Sequence, residues 1–125
     1  MAKVLLIDDD QALISVFQTA LKNEGYQTVV AFDGKSGFER AKSEKPSLIL
    51  LDQVLPDIQG NEVLKLLKDE PQTKDIPVAM LSNFGQDQLI KGAINAGAVD
   101  YILKYQVEPQ DVVHKIKGML KDGGA

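Results

Sequence analysis

Five short apolar runs, each ending in a polar residue and each followed by an amphipathic stretch, constrain this chain more than any other feature. The runs are Lys3–Asp8 (KVLLID), Tyr26–Phe32, Ser47–Leu51 (SLILL), Val78–Leu81 and Val99–Leu103. Apolar residues in unbroken succession, as in KVLLID and SLILL, read as strands buried on both faces. The stretches between them read as helices. The first follows Asp10, a natural cap, carries Leu13, Ile14, Phe17 and Leu21 on one face, and stops at Gly25. The second, Ser36–Lys45, follows an Asp33-Gly34 turn and is broken by Pro46. The third, Asn61–Glu70, places Val63, Leu64, Leu66 and Leu67 on a broad apolar face. The fourth, Gln86–Ala96, is stopped by Gly97, and the last, Pro109–Leu120, turns Val112, Val113, Ile116 and Leu120 inward. Strict alternation of strand and helix predicts an α/β fold of (βα)5 type, a doubly wound parallel five-stranded sheet with helices on both faces and right-handed crossovers.

Flavodoxin-like strand order 2-1-3-4-5 is the expected wiring, although alternation alone does not fix it. A length of 125 residues suits one domain, which we expect to span 1–121, with 122–125 as a disordered tail or the start of a linker. Apolar residues are 44% and charged residues 26%, which is ordinary globular composition. The net charge of −4, without any basic run, argues against nucleic acid or an anionic membrane as partner. The chain has no cysteine, which fits a reducing compartment. The apolar stretch Val4–Ile7 is too short for a signal peptide and is followed at once by Asp8-Asp9-Asp10, so the expected location is the cytoplasm.

The chemistry lies in what ends each strand. The first strand ends in Asp8, Asp9 and Asp10, the third in Asp52, the fourth in Ser82 and the fifth in Lys104. In an open parallel sheet, ligands bind at the carboxyl ends of the strands where the order reverses. Order 2-1-3-4-5 would make strands one and three neighbours there, gathering carboxylates, a hydroxyl and an ammonium on one rim. Clustered carboxylates repel one another unless a cation or a proton intervenes. Lys104 supplies one positive charge, and a hard divalent ion such as Mg²⁺ is the oxygen-loving complement. A carboxylate can also act as a nucleophile and become an aspartyl phosphate. Taken singly, Asp10 is a helix cap, Asp52 a turn former and Lys104 a solvated strand end. Their coincidence around one rim is what turn chemistry does not explain.

These stretches, KVLLIDDD, LILLDQVLPDIQG, IPVAMLS and AGAVDYILK, in this order and spacing, resemble the receiver domain of two-component response regulators over essentially the whole chain. The resemblance implies that Asp52 accepts the phosphoryl group. It implies that Asp8 and Asp9 hold Mg²⁺ together with Asp52 and the backbone carbonyl of Val54, that Ser82 and Lys104 contact the phosphoryl oxygens, and that Tyr101 is the aromatic switch. The donor would be a sensor histidine kinase or a phosphotransfer protein. The output would be a changed surface over the fourth helix, fifth strand and fifth helix, read by an unknown protein partner. Chemistry would be self-directed, so the chain would not be an enzyme.

Three departures from the family pattern stand out. Tyr105 follows Lys104 where the family has proline, and the usual cis bond there would cost about 3–4 kcal/mol before a non-proline residue, so a trans bond is expected. Asn83 occupies a position usually held by a smaller residue. Val54 and Phe84, two residues beyond Asp52 and Ser82, are apolar where neighbours of the acceptor govern hydrolytic water, which implies a long-lived phospho-aspartate. His114 reads as an ordinary helix residue without catalytic partners. The competing reading is a receiver-like interaction domain that no longer takes phosphate. A flavin carrier or haloacid-type hydrolase fits poorly, because the first strand–helix turn lacks a phosphate-cradling loop.

Overall fold

The computed structural model describes residues 2–123. Strands β1 (Lys3–Ile7), β2 (Gln27–Ala31), β3 (Leu48–Leu51), β4 (Val78–Ser82) and β5 (Asp100–Leu103) form one parallel sheet in the order β2-β1-β3-β4-β5. Helices α1 (Gln11–Asn23), α2 (Gly34–Glu44), α3 (Gly60–Asp69), α4 (Asp87–Asn95) and α5 (Pro109–Gly123) alternate with them. The fold is the flavodoxin-like arrangement that the apolar runs imply.

Strand side chains alternate between faces, and here both faces are covered. Val4, Leu6, Leu48, Leu50, Ala79, Leu81 and Ile102 meet Ile14, Phe17 and Leu21 of α1 and Val112, Val113 and Ile116 of α5. Leu5, Ile7, Ile49, Leu51, Val78 and Met80 face the other way, toward Ala41 of α2, Val63, Leu64 and Leu67 of α3, and Ala93 of α4. Alternate residues of one uninterrupted apolar run therefore fill two separate cores.

Register decides where the polar strand ends meet. Ile7 pairs with Leu51, and the Asp52 amide donates to the Ile7 carbonyl at 2.9 Å, so Asp8 and Asp52 leave the sheet side by side. Leu51 pairs with Met80, and Ser82 with Leu103, which brings the ends of β4 and β5 to the same rim.

Local details depart from expectation in four places. Asp33 does not merely turn the chain. Its carboxylate accepts from the Ser36 amide at 2.7 Å and caps α2, which starts at Gly34. Leu66 is 42% exposed. At 100° per residue it sits about 105° from the centre of the stripe formed by Val63, Leu64 and Leu67. Lys104–Gln106 forms a 3₁₀ turn rather than a plain loop. Helix α5 runs to Gly123, past the expected end at Leu120, so Asp122 and Gly123 of the expected tail are helical, while Gly124 and Ala125 lie outside the described residues. No helix among the described residues is long and apolar enough to cross a membrane.

Candidate functional site

Asp8, Asp9 and Asp52 converge, with one carboxylate oxygen of each lying within 4.8 Å of the others. Asp8 and Asp52 are buried and Asp9 is exposed. Asp8 is fixed by accepting the Asp10 amide at 2.9 Å, while Asp10 turns away to cap α1 through the Leu13 amide at 3.1 Å. The acidic run thus divides its work: Asp10 serves the helix, and Asp8 and Asp9 serve the rim.

Lys104 reaches this cluster. Its Nζ lies 2.8 Å from Asp8 Oδ2 and 3.4 Å from Asp52 Oδ1, and all three side chains are nearly buried. The Lys104–Tyr105 bond is trans, since no cis bond occurs among the described residues. The 3₁₀ turn that begins at Lys104 lets the side chain project over the rim without a cis bond. Burial first and the Asp8 charge second push the Asp52 carboxyl up to about 6, against the opposing pull of Lys104. One ammonium among three carboxylates leaves the pocket short of positive charge. Three convergent oxygens, one of them solvent-accessible, match what a hard divalent ion requires: protein carboxylates on one side and open positions for water or phosphate oxygens on the other.

Ser82 is fully buried at the end of β4, and its Oγ accepts from the Phe84 amide at 3.0 Å. Tyr101, on β5, is half-buried against the core beneath α2, α3 and α4. Its hydroxyl donates to the Phe84 carbonyl at 2.7 Å. Burial raises the pKa of that hydroxyl, the nearby Ser82 hydroxyl lowers it, and the Asp52 charge raises it. Ser82, Phe84 and Tyr101 therefore form one hydrogen-bonded unit at the edge of the acidic pocket, with the backbone of Phe84 as its hub.

The residues that depart from the family pattern are exposed. Val54 is 52% and Phe84 43% exposed, Asn83 is exposed, and Tyr105 sits with its hydroxyl beside Gly85. Two residues not singled out from sequence join the site's support. The Gln53 side chain is buried with neither amide atom hydrogen-bonded, and the Asp57 carboxylate binds the start of α2. A polar residue closing the apolar run SLILLD is the sequence signal for the first, and an acid after proline in a long loop is the signal for the second.

Comparison with known proteins agrees with the geometry. The description "response regulator receiver domain" matches residues 4–117. The alkaline phosphatase synthesis transcriptional regulatory protein PhoP of Bacillus subtilis is 33% identical over 95% of this chain and 48% of its own length. The chain therefore spans about half the length of the curated relatives it matches. A CheY-like receiver domain protein from Methanospirillum hungatei superposes with a TM-score of 0.93 at 29% identity, covering 99% of this chain and 97% of that one. The Mn²⁺-bound form of the response regulator Rcp1 superposes with a TM-score of 0.78 at 26% identity, covering 96% of this chain and 92% of that one. With the strand order, the convergent acids and these relatives in agreement, the chain belongs to the receiver domain family of two-component response regulators.

Proposed function

We propose that the domain is a phosphorylation-dependent switch in which Asp52 takes a phosphoryl group from a sensor histidine kinase or a phosphotransfer protein. The observation that carries this is the buried Asp52 carboxylate standing among Asp8, Asp9 and Lys104. A carboxylate oxygen of Asp52 attacks phosphorus, the bond between phosphorus and the donor nitrogen breaks, and the donor imidazole keeps the electron pair. Mg²⁺, held by Asp8, Asp9, Asp52 and the Val54 carbonyl, would offset the charge of the phosphoryl oxygens. Lys104, already within reach of both Asp8 and Asp52, neutralises the product. It shares its charge between the two acids now, and an added phosphate dianion on Asp52 competes for it.

The response is a population shift. Ser82 binding a phosphoryl oxygen pulls on the Phe84 amide that its hydroxyl now accepts. The Phe84 carbonyl in turn holds Tyr101. Phosphate on Asp52 thereby favours an inward Tyr101 and a reshaped surface over α4, β5 and α5. An open groove of about 490 Å³ lies on that surface, lined by Ile90, Tyr101, Leu103, Gln106, Val107 and His114 among others, and suits a protein partner. Nucleic acid is not an expected partner of this acidic chain, and the cytoplasm is its expected location.

The test is incubation with acetyl phosphate and Mg²⁺ followed by intact mass measurement. A gain of one phosphoryl group that is lost in Asp52→Asn and on chelation supports the switch. No gain across several small donors would favour a receiver-like interaction domain that no longer takes phosphate.

A further inference from the structure

The loop between β3 and α3 carries Val54, and it is pinned at three points. Its base is closed by the Gly60 amide donating to the Gln53 carbonyl at 2.7 Å. Its middle is anchored by Leu55, which is 8% exposed in the core beneath α2 and α3. Its far end is clamped to a different helix. Asp57 Oδ1 accepts the Gly34 amide at 2.7 Å, and Asp57 Oδ2 accepts the Lys35 amide at 2.9 Å. Those amides open α2, where unpaired N–H groups favour a carboxylate. They hold the Asp57 carboxyl below its usual pKa, Gly34 first and Lys35 second. Contact reinforces the clamp. A Cβ on Gly34 would lie 2.6 Å from Ile58 and 2.7 Å from Val63, so α2 approaches the loop as closely as a glycine allows.

The Asp57 clamp is redundant for α2 itself. Asp33 already caps that helix through the Ser36 amide at 2.7 Å and the Ser36 hydroxyl at 3.0 Å. The Asp57 clamp thus adds a second carboxylate whose distinct effect is to fix the loop. We propose that Asp57 is a positioning residue for divalent-cation binding: it holds the Val54 segment in place against α2, so that the β2–α2 turn helps to set metal affinity at Asp8, Asp9 and Asp52. This rests on the reading of those three acids as a Mg²⁺ site.

Mg²⁺ alone is titrated into the unphosphorylated protein by calorimetry, alongside thermal unfolding without metal, for the wild type, Asp57→Ala, Asp57→Asn, Gly34→Ala and Asp33→Ala. Residues that orient metal ligands from outside typically change affinity by 10–100-fold, and a clamp acting through loop backbone is expected to change it by roughly 3- to 10-fold. Asp57→Ala and Gly34→Ala should weaken Mg²⁺ by that factor, and Asp57→Asn, which keeps one acceptor oxygen, by less. Asp33→Ala should lower the unfolding midpoint and leave Mg²⁺ affinity unchanged. Wild-type protein that binds Mg²⁺ while Asp57→Ala and Gly34→Ala bind it equally well overturns the positioning role alone. Equal weakening in Asp33→Ala also overturns it, because helix stability would then be the cause. Wild-type protein that does not bind Mg²⁺ overturns the metal site and this inference together.

Discussion

Asp52 is held in tension by its surroundings. Burial and the Asp8 charge favour its neutral form, and Lys104 favours its charged form. Its pKa of about 6 lies above the ordinary 3.8, so the folded state binds more protons than the unfolded state between those values. Stability contributed by this group is therefore full below about pH 4 and is lost as pH rises through 6. Without metal, Asp52→Asn should remove that loss. Melting curves of the two proteins should coincide near pH 4 and diverge by pH 7, with the asparagine variant the more stable; a constant offset would show that Asp52 does not titrate in this window. Lys104→Met removes the cation shared by Asp8 and Asp52. Leaving buried carboxylates without their partner costs about 3–5 kcal/mol, which chemical denaturation at pH 7 should register, and Mg²⁺ should recover part of it. The apolar Val54 and Phe84 at the rim offer no group to orient a hydrolytic water, and loss of label from phosphorylated protein should accordingly take minutes or longer. Loss within seconds would remove that assignment.

The β3–α3 loop shows how element geometry supports the residues. A Cβ on Gly60 would lie 2.2 Å from the Asp52 carbonyl oxygen and 2.7 Å from Gln53 Cα, both backbone atoms that cannot swing aside. Gly60→Ala should therefore cost at least about 2 kcal/mol in denaturant unfolding. Gln53 behaves in the opposite way. Its buried amide has no partner, and a buried unpaired polar group costs about 1–3 kcal/mol, so Gln53→Met should stabilise the fold by about 1 kcal/mol. A lower midpoint would mean that the amide is satisfied in solution. The supports from Asp57 and Gly60 were not legible in the sequence, because each depends on how the loop folds back, Asp57 onto α2 and Gly60 onto the backbone of Asp52 and Gln53; Lys104 was legible as the cation of this rim, and only the 3₁₀ turn that carries it there was not. Asp10 was legible because its cap bond is local, reaching only Leu13. Asp33 offered the same local signal but sits before a glycine that reads equally as a turn. Leu66 was misplaced because four apolar residues in a five-residue window cannot all share one helical stripe.

At the scale of the molecule, the alternation of apolar runs with amphipathic stretches was enough to imply the sheet, its parallel pairing and its helical layers. Runs such as SLILL admit burial only on both faces. The strand order then makes the ends of β1 and β3 neighbours, which is why acids separated by more than forty positions share one pocket. The proposed switch function rests on this placement of the Asp52 carboxylate beside Asp8, Asp9 and Lys104. The proposed phosphorylation of Asp52 is tested most directly by incubating the protein with acetyl phosphate and Mg²⁺, reducing any acyl phosphate with borohydride and sequencing the peptides by mass spectrometry. The account predicts the reduced aspartate product at residue 52 and nowhere else; modification at Asp8, Asp9 or Ser82 instead, with residue 52 unchanged, would contradict it.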